Sequence, residues 1–146
     1  MTVTIAAQRD LARWLLEEEL SGRQGPYALA EAAERACQKL SGRVATLVTT
    51  TGYRALFARA LFLTRAEFPF LSAVQVGAIP ENCFDGLRDG VSSVTGAELR
   101  DGLAAVLAGV IGLLATFIGD DLTVRLVRDV WPAAPFDEAV PDKRRA

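Results

Sequence analysis

The chain has 146 residues, the size of one ordinary domain, and 51% of them are hydrophobic, which is enough for a sizeable core. Sixteen basic and eighteen acidic residues leave a net charge of −2, so the chain lacks the basic excess typical of nucleic-acid-binding proteins. It has no histidine, which excludes Ser-His and Cys-His nucleophile pairs and the commonest transition-metal ligand. We therefore expect no metal and no other cofactor.

The N-terminal sequence and the cysteines bear on the compartment. The first residues lack a basic region followed by an apolar one, so we read no secretory signal. Cys37 and Cys83 are far apart and form no CxxC motif. We predict a cytoplasmic chain with two reduced thiols, and a single disulfide stays open as the alternative.

The first half of the chain predicts three helices. The first covers residues 6–20 and ends at the sequence SGRQGP. The second covers residues 26–49, because Pro26 suits a first helical turn and apolar residues then recur at spacings of three and four. The third covers residues 52–68, with Thr51 as its cap, and ends at a proline.

The second half predicts two or three more helices. The structure of residues 69–95 is not decided by the sequence, although Pro80 is placed to open a short helix. Thr95 and Glu98 have the spacing of a capping box and start a long apolar helix, about 96–118. Asp120 or Asp121 then caps a last helix that ends at Trp131.

The long apolar helix raises the question of a membrane span. Its uncharged core, residues 103–118, is shorter than the twenty or so residues that cross a bilayer, and no basic cluster flanks it. We therefore predict a buried central helix and no constitutive span, with a conditional membrane or pore-forming role as the alternative. Ala104, Ala108 and Gly112 share one ridge, so we expect a close helix crossing at Gly112 that Gly112→Leu would disrupt severely.

These elements predict an all-α fold. We expect a single-domain bundle of five or six helices over residues 1–131, followed by a flexible tail of prolines and charges over 132–146. The sequence of residues 44–59 is weakly similar to the sequence 66 positions later. Two pseudo-symmetric αα-hairpins are therefore an open alternative within this fold class.

Three polar features stand out. Arg54 and Arg65 share one face of the third helix and Arg59 lies on another, which indicates either a patch for an acidic protein partner or an ordinary solvated face. The acidic run at residues 17–19 is a candidate for pairing with these arginines. Glu67 extrapolates onto the apolar face and is the candidate buried polar site. We expect a salt bridge to an arginine or exposure at a fraying helix end, and a proton-transfer or ligand-binding carboxylate with a raised pKa is the alternative.

No catalytic constellation emerges, so we predict a non-enzymatic protein-interaction or regulatory domain. We expect it to form a homodimer through the third and last helices. The first alternative is a carrier or sensor of an apolar small molecule bound inside the bundle. The second is an enzyme that uses Glu67 or Tyr53. The candidate interaction surface is Arg54, Arg59, Arg65 and Trp131, and the candidate pocket lining is Trp14, Phe57, Phe62 and Phe117.

Overall fold

The part of the chain that the structure describes is all-helical. The computed structural model describes residues 5–74, 87 and 94–135. Within these ranges five α-helices pack together and no strand is present, which confirms the predicted all-α class. The predicted short helix from Pro80 and most of the predicted tail lie outside the described residues. The elements are α1 (Ile5–Leu20), α2 (Pro26–Val44), α3 (Thr50–Arg65), a 3₁₀-helix (Pro69–Ala73), α4 (Gly96–Ile118) and α5 (Asp120–Val130).

Two helix starts follow the local signals in the sequence. Pro26 occupies the first turn of α2, where its missing N–H leaves no hydrogen bond unmade. The Thr95 hydroxyl accepts a hydrogen bond from the backbone N–H of Glu98 at 3.1 Å. This bond satisfies one of the free donors at the start of α4, so the predicted cap is confirmed.

The start of α3 differs from the prediction. The hydroxyl of Thr49 accepts a hydrogen bond from the backbone N–H of Gly52 at 3.0 Å, so Thr49 and not Thr51 is the cap. Thr49 has an extended backbone, with φ −68° and ψ 162°. Because a cap must leave the helical conformation, α2 cannot run to this residue, and it ends at Val44.

The break between α4 and α5 is made by a glycine. Gly119 has φ 96°, a conformation that glycine adopts without steric cost, and it is the N-cap residue of α5. The predicted cap by Asp120 or Asp121 is therefore wrong. Both acids lie in the first turn of α5, where the helix dipole favours negative charge.

The central element is α4, which contacts each of the other four α-helices in the described structure. It is apolar nearly all round, so that burial on several sides is the arrangement its sequence requires. Eleven of its residues are buried. They are Leu99, Gly102, Leu103, Ala104, Ala105, Val106, Leu107, Ala108, Val110, Ile111 and Leu114.

The length of α4 overturns one premise of the membrane prediction. The helix has 23 residues and a mean hydropathy of 2.1 over its most apolar window, so length and composition alone would allow it to cross a bilayer. However, 56% of that window is buried inside the chain, as in the core helix of a bundle. Burial by neighbouring helices, and not shortness, is the observation that favours a core role.

Close approaches to α4 occur at two glycines. A Cβ added at Gly102 would lie 2.7 Å from ring atoms of Phe70, and one at Gly109 would lie 3.3 Å from the Cβ of Ala60 on α3. A Cβ at Gly112 would instead meet the flexible end of the Gln8 side chain, at 2.9 Å. The close crossing expected at Gly112 is therefore misplaced.

We predict that Gly102→Ala is less stable than Gly112→Ala by about 1–3 kcal/mol in the free energy of unfolding. Both substitutions gain the same helix propensity, so the difference isolates packing against Phe70 from packing against Gln8. Urea denaturation of the two variants in parallel measures it. Equal urea midpoints and equal slopes for the two variants would contradict the prediction, because they would show that the Phe70 ring moves aside freely.

Candidate interaction surface

A buried carboxylate lies where α1, α2 and the end of α5 meet. Glu19 is 6% exposed. Its Oε2 accepts hydrogen bonds from Nζ of Lys39 at 2.7 Å and from Nε1 of Trp131 at 2.9 Å. Its Oε1 accepts one from Nε of Arg35 at 3.4 Å. A buried charge needs such partners, and two of them come from α2, the next helix along the chain, while the third, Trp131, follows α5.

The end of α1 is held by the same region. The carbonyl of Glu19 accepts hydrogen bonds from Arg35 at 2.6 Å and from Arg23 at 3.0 Å, and Arg23 also donates to the carbonyl of Leu20. These carbonyls are free at a helix C-terminus, and cations there complement the dipole. Two acids of the run at residues 17–19 are thus paired inside the chain, Glu19 with α2 and Glu17 with Arg100 on α4, and not with α3 as hypothesised.

The pKa of Glu19 follows from these contacts. Burial by itself would raise it, but the hydrogen bonds from Lys39 and Trp131, the charge of Lys39 and the hydrogen bond from Arg35 together lower it. The net pKa lies below the ordinary value of 4.5. Glu19 therefore stays ionised at neutral pH and acts as a structural anchor.

Glu67 is not the buried polar site that the sequence predicts. Its side chain is 52% exposed and accepts two hydrogen bonds from Arg9, at 2.7 and 2.9 Å. The helical extrapolation fails because α3 ends at Arg65, two residues earlier. The hydrogen bond from Arg9 lowers the pKa of Glu67, which is the opposite of the shift that a proton-transfer carboxylate needs.

Trp131 and α5 provide no apolar outer surface. Trp131 is 5% exposed and its indole N–H is bonded to Glu19, so its side chain packs within the bundle and not on the surface. The exposed residues of α5 are charged: Asp121, Arg125 and Asp129. The last helix therefore does not contribute the apolar face expected of a dimer contact.

The four aromatic residues predicted to line one pocket are dispersed. Phe57 is 1% exposed and lies in the core, and the partly buried Trp14 packs against the same core. Phe62 and Phe117 are 62% and 65% exposed. Since two of the four face outward, they do not line a common cavity.

Two surface clefts among the described residues are lined by other side chains. The larger, about 560 Å³, lies between the α1–α2 loop and the start of α4. Of its two arginines, Arg100 pairs with Glu17, and Arg23 bonds the carbonyls at the end of α1. A smaller cleft of about 180 Å³ lies between the end of α2 and α5. Neither is an enclosed apolar pocket.

One side of α3 presents apolar residues to the outside. Phe62 and Leu63 are 62% and 52% exposed, and Ala55, Ala58 and Ala66 are exposed beside them. The spacings of three and four from Ala55 to Ala66 place these alanines and Phe62 along one strip. We call Ala55, Ala58, Arg59, Phe62, Leu63 and Ala66 the α3 outer face.

The three arginines of α3 have different surroundings. Arg59 is exposed in the middle of the α3 outer face. Arg65 is half-buried and donates a hydrogen bond to the carbonyl of Val74 at 3.0 Å. Arg54 is half-buried and also makes contacts within the chain. From Thr50 to Arg65 the helix contains no acidic residue, so no side chain of α3 itself offsets the charge of its arginines.

The prediction of reduced thiols is wrong at Cys37, because Cys37 is disulfide-bonded, which agrees with the alternative that the sequence left open. The chain's other cysteine, Cys83, lies outside the described residues. The sulfur of Cys37 is 3.4 Å from the hydroxyl of Tyr53, which is buried, and burial raises the pKa of that phenol. Tyr53 is therefore neutral and poorly placed to serve as a catalytic base.

Neither metal chemistry nor known relatives assign a function to these features. Over residues 5–74, 87 and 94–135, no group of three or more His, Cys, Asp or Glu side chains is placed to hold a metal ion. Comparisons with protein-family models, curated proteins and solved structures find no match to the chain.

We predict that the stability advantage of the wild type over Glu19→Gln is largest at neutral pH. Because the folded pKa of Glu19 is lowered, its contribution is fully present above the unfolded value, about 4.5, and is lost as pH falls through the folded pKa. Urea denaturation between pH 3 and 7 measures this. Glu18→Gln, at the exposed neighbouring position, is the control, and an advantage over Glu19→Gln that does not change with pH would contradict the prediction.

Proposed function

We propose that this chain is a non-enzymatic protein-interaction domain that binds a partner along the α3 outer face. The exposure of Phe62 and Leu63 side by side supports this most strongly. Covering a phenylalanine side chain stabilises a contact by about 1.5–3 kcal/mol. A single exposed apolar residue is ordinary, but a contiguous apolar strip is typical of a binding surface.

The shape of the α3 outer face favours a helix as the partner element. Ala55 and Ala58 are small, so that a second helix axis can approach closely at that point. Phe62 lies one turn further along and projects as an anchor. Apolar residues that recur at spacings of three and four along a helix are a common pattern in the recognition of one helix by another.

Several predictions from the sequence remain proposals alongside this one. They are self-association as a homodimer, a regulatory role, the cytoplasmic location and the pseudo-symmetry of two αα-hairpins. The cytoplasmic location was predicted from two reduced thiols, and the disulfide at Cys37 removes that support. Disulfide bonds persist mainly in oxidising compartments. The small-molecule carrier is the weaker alternative, because its four lining residues are dispersed.

The direct experiment is photo-crosslinking from within the α3 outer face. A photoreactive amino acid replaces Phe62 in the full chain, which is produced in its native cells and irradiated. We expect one discrete protein adduct. An adduct of twice the 15.7 kDa chain mass identifies a homodimer, and any other mass identifies a different protein.

The matched control is the same substitution at Phe117, which is equally exposed but lies at the end of α4. We expect little or no discrete adduct there. Equal adducts at both positions, or none from position 62, would contradict binding along the α3 outer face.

A further inference from the structure

The charge of the α3 outer face bears on what covers it. Arg59 lies beside Phe62 and is exposed, and α3 has no acidic residue to neutralise it. Glu67 is the acid that follows, and it is already engaged by both terminal nitrogens of Arg9. The apolar strip is therefore bordered by positive charge that is not balanced on its own helix.

We infer that the partner of the α3 outer face is an acidic amphipathic helix, an inference that rests on the function proposed above. Carboxylates beside its apolar strip would accept paired hydrogen bonds from the guanidinium of Arg59. The strip from Ala55 to Ala66 is about 17 Å long at 1.5 Å per residue, which is three helical turns. A partner segment of about fifteen residues spans it.

A second copy of α3 is a poor fit to the same surface. In an antiparallel two-fold pair, Phe62 would pack into the space between Ala55 and Ala58 of the copy. The midpoint of that register lies near position 59, so that Arg59 would face Arg59 of the copy. Like charges placed opposite each other disfavour association, and a helix without acids offers no compensating pair.

An anionic lipid surface also fits the charge but not the shape. Helices that lie in a membrane interface bury a face of large side chains such as Trp, Phe and Leu. On the α3 outer face only Phe62 and Leu63 are large, and the remaining apolar positions are alanines. Alanines add little apolar area, but they do permit close contact with another helix.

The test uses two synthetic helical peptides of fifteen residues with the same leucine strip. One carries glutamates on both sides of the strip and the other carries lysines. Fluorescence anisotropy measures the binding of each to the full chain. We expect the acidic peptide to bind at least tenfold more tightly than the lysine peptide, and its affinity to fall as salt is raised.

Charge reversal in the protein completes the test. We expect Arg59→Glu to weaken the acidic peptide at least tenfold and to improve binding of the lysine peptide, which a merely structural role of Arg59 would not produce. The control is Arg125→Glu, at an exposed arginine on α5, which should change neither affinity. Circular dichroism verifies that both variants keep the wild-type helix content.

Each remaining outcome overturns the inference. Absence of binding by either peptide, or equal binding by both, rejects the acidic partner. Binding to phosphatidylglycerol vesicles that requires Arg59, without preference for the acidic peptide, assigns the surface to lipid. Crosslinking from position 62 is a separate measurement, so the interaction domain can stand when its acidic partner does not.

Discussion

The arrangement of the helices depends on the hydrogen bonds that the buried carboxylate of Glu19 accepts. It is 6% exposed and is bonded by α2, through Arg35 and Lys39, and by Trp131 immediately after α5. Its own backbone carbonyl is also occupied, by two guanidinium groups. One residue therefore joins three parts of the chain. Its removal would leave the buried indole N–H of Trp131 without an acceptor, a costly state in a core.

The consequence for the rest of the bundle is geometric. With α1, α2 and the end of α5 fixed to one another, α4 fills the space among them, and Gly102 and Gly109 allow the 3₁₀-helix and α3 to approach it closely. On the inner side of α3, Ala60 lies against Gly109 of α4, and Phe57 is buried in the core. The α3 outer face points away from α4, and no described element covers Phe62 or Leu63. The proposed interaction rests on this exposure.

Local features of the fold were predictable because they depend on neighbouring residues. The cap at Thr95, the first-turn proline of α2 and both ends of α4 follow from signals within a few positions of each other. The cap of α3 was predicted two residues too late because three consecutive threonines are locally equivalent. Backbone geometry alone selects Thr49 among them.

The surroundings of Glu19 could not be predicted, because they consist of contacts that no local sequence pattern contains. Glu19 and Trp131 are 112 positions apart, and neither lies in a periodic stripe that points to the other. The clue available in the sequence was the acidic run at the end of α1, where the helix dipole disfavours it, and it indicated pairing without identifying α2. Glu67 shows the converse error, since periodicity was extended past the end of its helix.

The most direct test of the role of Glu19 is a double-mutant cycle with Glu19→Met and Trp131→Phe. Urea denaturation of the wild type, the two single variants and the double variant gives the coupling free energy between the carboxylate and the indole. A charge-assisted buried hydrogen bond predicts a coupling of about 1.5–3 kcal/mol. Additivity of the two substitutions, within about 0.5 kcal/mol, would contradict Glu19 as the group that ties the end of α5 to α1.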